Sequence, residues 1–394
     1  LAAAVWLCSL LVLGGPGAGM ADTASATAAA STTAATTGAT ATATTGATTT
    51  TAATGATGQQ LTLQQAISMA LANSPSLKAA NYSVDQAKQN QSLAAEPVIA
   101  SSFTAQGSAS PEDESAVNNL AQANLNYQQA QKNYQASRDT VVMEVYQDYF
   151  GILEDEAALE SARQALNLAD WNQRATTLNY QLGGASRYQV ITANQNYASA
   201  QAALASAQAT LNAAYQQFDQ LVGLMPDDRP VLTDQPSFTP LVIGSLEAEV
   251  DRVLNTSPTV SAAQNSVSQA QTALSVYSYD TSKNAATLDS LAIAQQNAVS
   301  TENSVAQQVR NLYYNIKTLE SKQDSLQQSL DAAQANLEMT QVKYDTGAAS
   351  AIDLANAKYA LAQAQQALLD NSCQHQLSVQ AFETPWAGTG GSGS

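Results

Sequence analysis

The chain is poor in charge and poorest in positive charge. Of 394 residues, 12% are charged, with 15 basic against 32 acidic and a net charge of −17. A phosphate backbone needs a basic surface, so no nucleic-acid partner is expected. His375 is the only histidine, and Cys8 and Cys373 are the only cysteines. Cys8 lies in an apolar run that reads as a leader, so one mature chain holds Cys373 alone and no disulfide framework. No zinc, calcium or phosphate-loop pattern is present. No cofactor, no metal and no enzymatic activity are therefore expected. The apolar run Ala2–Leu13 falls short of the roughly 20 residues of a spanning helix. Glycine and proline are also missing where they would interrupt. Neither occurs from Thr259 to Thr346, and only Gly151 lies between Glu112 and Leu182. In an Ala-, Gln- and Leu-rich chain, such stretches predict very long helices.

What is present comes twice. Asn73-Ser74-Pro75-Ser76-Leu77-Lys78-Ala79-Ala80 returns 183 positions later as Thr256-Ser257-Pro258-Thr259-Val260-Ser261-Ala262-Ala263. Tyr180-Gln181-Leu182-Gly183-Gly184-Ala185-Ser186 returns 164 positions later as Tyr344-Asp345-Thr346-Gly347-Ala348-Ala349-Ser350. Val145, Tyr149, Phe150 and Ile152 match Val309, Tyr313, Tyr314 and Ile316 at the same offset of 164. Each half thus has a helix start with a first-turn proline and a glycine turn deep inside. The 19 positions by which the offsets differ lie between the first and second helices of each half.

A heptad seam follows the first glycine turn: Val190, Ala193, Tyr197, Ala200, Leu204, Ala207, Leu211, Ala214, Phe218 and Leu221. Its unbroken steps of three and four predict coiled-coil packing. The second half repeats it as Leu354, Ala357, Leu361, Ala364 and Leu368, then turns polar at Asn371 and His375. That seam position points His375 to packing. Tyr146, Tyr149, Tyr313 and Tyr314 read as packing residues between helices, and Glu112-Asp113-Glu114 as a solvated acidic turn.

The predicted organisation has six parts. Residues 1–21 read as a signal peptide cut after Ala21, with a signal anchor as the alternative. Residues 22–58 form an Ala/Thr-rich disordered tether, with too little apolar surface to offset ordering entropy. A first helical repeat covers 59–222, with helices over Leu63–Ala95, Ala116–Gln181 and Ser186–Val222 and a loop over Glu96–Ser115. A proline-rich linker covers 223–244. The second repeat covers 245–382, with helices over Leu246–Ser278, Ala285–Thr346 and Ser350–Phe382. A flexible tail covers 383–394.

These residues bear a family resemblance. Leu61-Thr62-Leu63-Gln64-Gln65-Ala66-Ile67, followed by Leu71-Ala72-Asn73-Ser74-Pro75, resembles the opening of TolC-type outer membrane efflux proteins. The Tyr-x-x-Gly-x-x-Ser turns at Tyr180 and Tyr344 resemble that family's tunnel tip. The resemblance covers Leu61 to Phe382. It implies a homotrimer whose protomers each give four helical strands to a twelve-helix α-barrel. It also implies a periplasmic adaptor docking at the turns, an inner-membrane transporter beyond it, and an outer-membrane location. Tip and gate residues are then Tyr180, Gly183, Arg187, Tyr344, Gly347, Asp353 and Asn356. Adaptor-docking residues are Leu182, Ser186, Thr346 and Ser350. The family's tip carries a tyrosine, an arginine and two aspartates after the second turn. Tyr344 and Asp353 match, whereas Ala349 and Asn356 replace the arginine and the second aspartate. Asp353 reads either as one carboxylate of a threefold ring favouring cations, or as a solvated first-turn carboxylate. Arg187 is the basic residue placed to pair with Asp353 or Asp345.

One departure is large. Family members that cross an outer membrane insert two strands between the first and second helices of each half. A spanning strand takes roughly 9–11 residues. The first-half gap has room for a short pair around Val98–Gln106, and the second-half gap near Ser278–Asn284 has none. The expected fold is therefore all-α: duplicated long helical hairpins with coiled-coil packing, an α-barrel protomer with little or no β-barrel. The expected function is the outer tunnel of an efflux or type I secretion-like export system. The alternative is a structural coiled-coil spacer of the envelope or surface without transport.

Overall fold

A computed structural model of the chain describes residues 60–100, 111–226, 228–276 and 281–389. The expected leader and tether lie outside the described residues. Two copies of one helical unit follow each other. In the first, α1 (Leu63–Asn73) and α2 (Pro75–Ala100) lead into α3 (Pro111–Gln181), and the chain returns in α4 (Arg187–Val222). In the second, α5 (Leu246–Thr256) and α6 (Pro258–Val276) lead into α7 (Thr281–Asp345) and α8 (Ala351–Glu383). The all-α hairpin architecture is as the sequence predicts. At 1.5 Å per residue, the 71 residues of α3 span about 105 Å.

Local chemistry sets the helix starts. The Thr62 hydroxyl accepts from the Gln65 amide at 3.2 Å, and the Gln65 side chain accepts from the Thr62 amide at 3.0 Å, a reciprocal cap. The Ser74 hydroxyl accepts from the Leu77 amide at 3.2 Å, with Pro75 opening α2. Ser257 does the same for Val260 at 3.4 Å, with Pro258 opening α6. The predicted loop Glu96–Ser115 is shorter than expected, because α2 continues to Ala100 and α3 begins at Pro111. Pro97 is tolerated one turn from the helix end, where its missing N–H removes a single bond. The suggested strand pair over Val98–Gln106 is helical at Val98–Ala100, and its remainder lies outside the described residues.

Helix α3 is the central wall. Its first part is flanked by α2 and α6 and its second part by α4 and α8. Each repeat has its own core around one repeated aromatic pair. In the first, Tyr149 and Phe218, both fully buried, meet edge to face at 6.1 Å among Ala66, Ile67, Ala70 and Val222. In the second, Tyr313 and Phe382 meet at 6.4 Å beside Val250, Val253, Val309 and Ile316. Both aromatics keep the offset of 164. The predicted heptad positions form the covered face of α4 and α8, and cover deepens toward Phe218 and toward Asn371 and His375.

The linker is a strap whose pairing the sequence did not reveal. Val231–Leu232 (β2) pairs in parallel with Gln60–Leu61 (β1). The Tyr149 hydroxyl donates to the Leu61 carbonyl at 3.1 Å and accepts from the Asp234 amide at 2.9 Å. Farther on, the Leu241 amide donates to Glu320 at 2.7 Å, and the Gln376 side chain donates to the Ser237 carbonyl at 2.7 Å. These two-residue strands are the only ones among the described residues. Residues 101–110 and 277–280, where the two gaps fall, lie outside the described residues.

The expected flexible tail needs correction up to Thr389. Ala387–Thr389 forms a 3-10 turn against α3, and Ala387 is buried. The Trp386 indole donates to Asp139 at 2.9 Å, and Gln308 donates to the Pro385 carbonyl at 3.0 Å. A tryptophan with a reachable acceptor docks where a Gly/Ser-rich reading of the segment sees only looseness.

Candidate functional site

The two hairpin turns are built alike. At the first, Gly183 has φ +79°, its amide donates to Tyr180 at 3.0 Å, and the Gly184 amide donates to Asn179 at 2.8 Å. At the second, Gly347 has φ +76°, its amide donates to Tyr344 at 3.0 Å, and the Ala348 amide donates to Lys343 at 2.7 Å. A left-handed residue lets the last helical carbonyls be met before the chain reverses. Ser186 and Gln189 then cap α4, and Ser350 and Asp353 cap α8.

Every predicted tip residue sits at this end of the hairpins, and all are exposed. Leu182 is 76% exposed, Tyr180 46% and Tyr344 40%. Gly183, Ser186, Arg187, Thr346, Gly347, Ser350, Asp353 and Asn356 are open to solvent as well. The Asp353 carboxylate accepts from the Ser350 amide at 2.9 Å and from its hydroxyl at 2.8 Å. The amide bond first and the hydroxyl second hold Asp353 below the usual carboxylate range. Within the protomer, then, Asp353 acts as a capping carboxylate. Among the described residues it makes no ion pair with Arg187.

A groove of about 620 Å³ runs from the first turn up the α3–α4 hairpin. Ala165, Ala169, Ala185, Ala193 and Ala200 form its small-residue floor, with Asn172, Thr176, Asn179 and Thr192 as its polar groups. No charged side chain lines it. Tyr188, 76% exposed, stands at its mouth. Sequence reasoning did not single out this groove. Its signal was the alanine spacing on both helices together with uncharged amides.

The body of the hairpins carries a second informative contrast. Phe150 is 1% exposed, and it shares a cleft with His375, Gln376 and Val379 of α8. Its repeat partner Tyr314, on α7, is 61% exposed, so within one protomer Tyr314 does not pack between helices as expected. His375 is 1% exposed, its ring tilted by 42° against Phe238 of the linker at 4.5 Å and lying 3.6 Å from Glu320. Burial lowers its basicity more than Glu320 restores it. Among the described residues no three His, Cys, Asp or Glu side chains gather as a metal site, and no helix is long and apolar enough to cross a membrane.

This geometry defines a class: a duplicated all-α fold of long helical hairpins with paired tips. Residues 238–387 match the family model described as outer membrane efflux protein. Three solved outer membrane proteins share the fold over 82% of this chain. They are the CmeC outer membrane channel of Campylobacter jejuni (14% identity, 85% of that chain, TM-score 0.60), the open-state MtrE outer membrane channel of Neisseria gonorrhoeae (17%, 88%, 0.59) and VceC of Vibrio cholerae (16%, 95%, 0.56). No curated protein matches by sequence. The chain's second repeat is thus similar to the outer membrane efflux protein family, and most of its length shares the fold of these outer membrane proteins. The family match falls on the second repeat, and the first repeat carries the same turn and the same aromatic pair at a fixed offset.

Proposed function

We propose that three copies of this chain close into a tunnel, the outer component of an efflux or type I secretion-like export system. Substrates pass through it unchanged. The observation that carries this reading is the Phe150–Tyr314 contrast. Helix α3 is covered on its second part by α4 and by α8, one from each repeat. Helix α7 has only the helices of its own repeat, and the face bearing Tyr314 is uncovered. By the repeat's own logic, the missing neighbour of α7 is the α4 of another copy. Exposed Ile293, Val299, Met339 and Val342 on α7, and Tyr188 and Ile191 on α4, supply apolar surface for that seam. The number three comes from the family.

The tips then face the periplasm, where Leu182, Ser186, Thr346 and Ser350 meet a periplasmic adaptor, with an inner-membrane transporter beyond it. The uncharged α3–α4 groove suits a helix presented by that adaptor. Tyr180, Tyr344, Asp353 and Asn356 stand around the tunnel mouth, and Arg187 is the basic residue there.

Electron microscopy of the purified protein is the test. The expected image is a threefold ring with a central hole, and light scattering gives the mass of three chains. Tyr314→Glu is expected to give a helical monomer, because a charge at the closing seam meets no partner. A solid bundle, or a trimer that tolerates Tyr314→Glu, would sink the reading.

A further inference from the structure

A cleft of about 530 Å³ opens where α1, α3, α8 and the linker strap meet. Leu63, Tyr146, Phe150 and Val379 give it an apolar wall, and Tyr146 stands edge-on to Phe150 at 5.7 Å. Asp234 of the strap and Glu383 at the end of α8 bring two carboxylates, and no lysine or arginine lines the cleft. Asp234 accepts from the Leu63 amide at 2.9 Å through one oxygen. Neither acid makes an ion pair among the described residues. Arg252, near Glu383, donates to its backbone carbonyl at 3.4 Å and pairs with Glu249 instead. His375 also lines the cleft. Its Nε2 lies 3.6 Å from Glu320, beyond hydrogen-bond length, and its Nδ1 has no partner. Burial favours the neutral imidazole, which can accept one hydrogen bond that nothing in the chain donates.

The duplication supplies a comparison. Moving by 164 positions turns Tyr146 into Arg310, Glu383 into Asp219 and His375 into Leu211. Arg310 pairs with Glu247 at 2.7 Å, and Asp219 faces Arg229 at 3.7 Å. Leu211 packs on the first-repeat core with no polar atom to satisfy. At both counterpart places a carboxylate therefore meets a guanidinium of the chain. The cleft has the carboxylates, an aromatic ring and an unmet acceptor, but no cation of its own.

We propose that this cleft binds an organic cation: a primary ammonium group on an aromatic or branched apolar body. The ammonium group donates to Asp234, Glu383 and the free imidazole nitrogen of His375. The apolar body lies along Leu63, Tyr146 and Val379, and the Tyr146 ring adds cation–π attraction. Clefts that take small molecules run from about 300 to 1,000 Å³, so a drug-sized amine fits and a bare metal ion would leave most of the space unfilled. A quaternary ammonium brings no N–H for His375, and an uncharged ligand leaves both carboxylates unpaired. Every lining group belongs to one chain, so the site can hold where the proposed tunnel fails, and fail where it holds.

The test titrates the full-length protein in a calorimeter with 2-phenylethylamine, a cation at neutral pH, and with 2-phenylethanol, its uncharged analogue. Salt at about 0.15 M screens diffuse attraction to the acidic chain. The amine is expected to bind with a Kd of about 1 mM or tighter, and the alcohol about tenfold more weakly or worse. D234N/E383Q keeps an acceptor for the Leu63 amide and should lose about tenfold or more in amine affinity. Tyr146→Leu should lose about fivefold. Circular dichroism checks that both variants are folded. His375, the only histidine, reports the place: in protein carrying 13C-labelled histidine, its ring signal should shift with the amine and saturate at the calorimetric Kd. Equal affinity for amine and alcohol overturns the site, and so does amine binding that the double variant retains in full. An amine that gives neither heat nor a shift of the His375 signal overturns it as well.

Discussion

Phe218→Ala will lower the stability of the folded unit by about 3–5 kcal/mol. The ring is fully buried, edge-on to Tyr149 at 6.1 Å, in the core where α1, α3 and α4 meet. Truncation removes an aromatic side chain's transfer energy and leaves a hole. Collapse into the hole is resisted, because the surrounding residues belong to helices held along their whole length by other contacts. Phe382→Ala, the repeat counterpart, should cost a similar amount, since it sits 2% exposed against Tyr313. Thermal melts at one fixed protein concentration measure both, because assembly shifts Tm by mass action. Losses under about 1 kcal/mol at either site would mean that the two cores are not the foundations of the hairpins.

Gly223→Ala should cost about 2–3 kcal/mol, the next largest loss. Gly223 ends α4 with φ +81°, a conformation that costs a residue with Cβ about 1–2 kcal/mol. An added Cβ would come within 2.8 Å of Asn73 Cγ and closer still to its amide nitrogen. That amide donates to the Val222 carbonyl at 2.6 Å and ties α1 to the end of α4. Displacing it loses a further hydrogen bond, worth about 1 kcal/mol. Gly183→Ala and Gly347→Ala share the backbone cost, but nothing lies within 4 Å of either new Cβ, so about 1–2 kcal/mol is expected there. Urea titrations with unchanged slope separate the cases. Equal losses at all three glycines would remove the Asn73 clamp from the account.

Much of this fold was legible because long helices write themselves plainly. The glycine- and proline-free stretches, the seam from Val190 to Leu221 and the repeated Ser-Pro starts all reappear as elements with the expected partners. The tip residues were legible as an end of the hairpins, since a repeated Tyr-x-x-Gly can only turn. What stayed hidden depends on distant pairing. Nothing local announces that Val231–Leu232 lies beside Gln60–Leu61, or that Trp386 finds Asp139. Tyr314 was misread too, because nothing in its own helix shows that this face of α7 meets no other helix among the described residues.

The short ladder between β1 and β2 has a consequence for how the molecule can be handled. Leu61 is tied to Tyr149, near the midpoint of α3, and Trp386 is tied to Asp139 a few turns away. Both ends of the described chain therefore leave at the waist, roughly 50 Å from either extremity of the long helix. A fluorescent protein or affinity tag joined directly before Gln60 or after Thr389 should leave both extremities unobstructed.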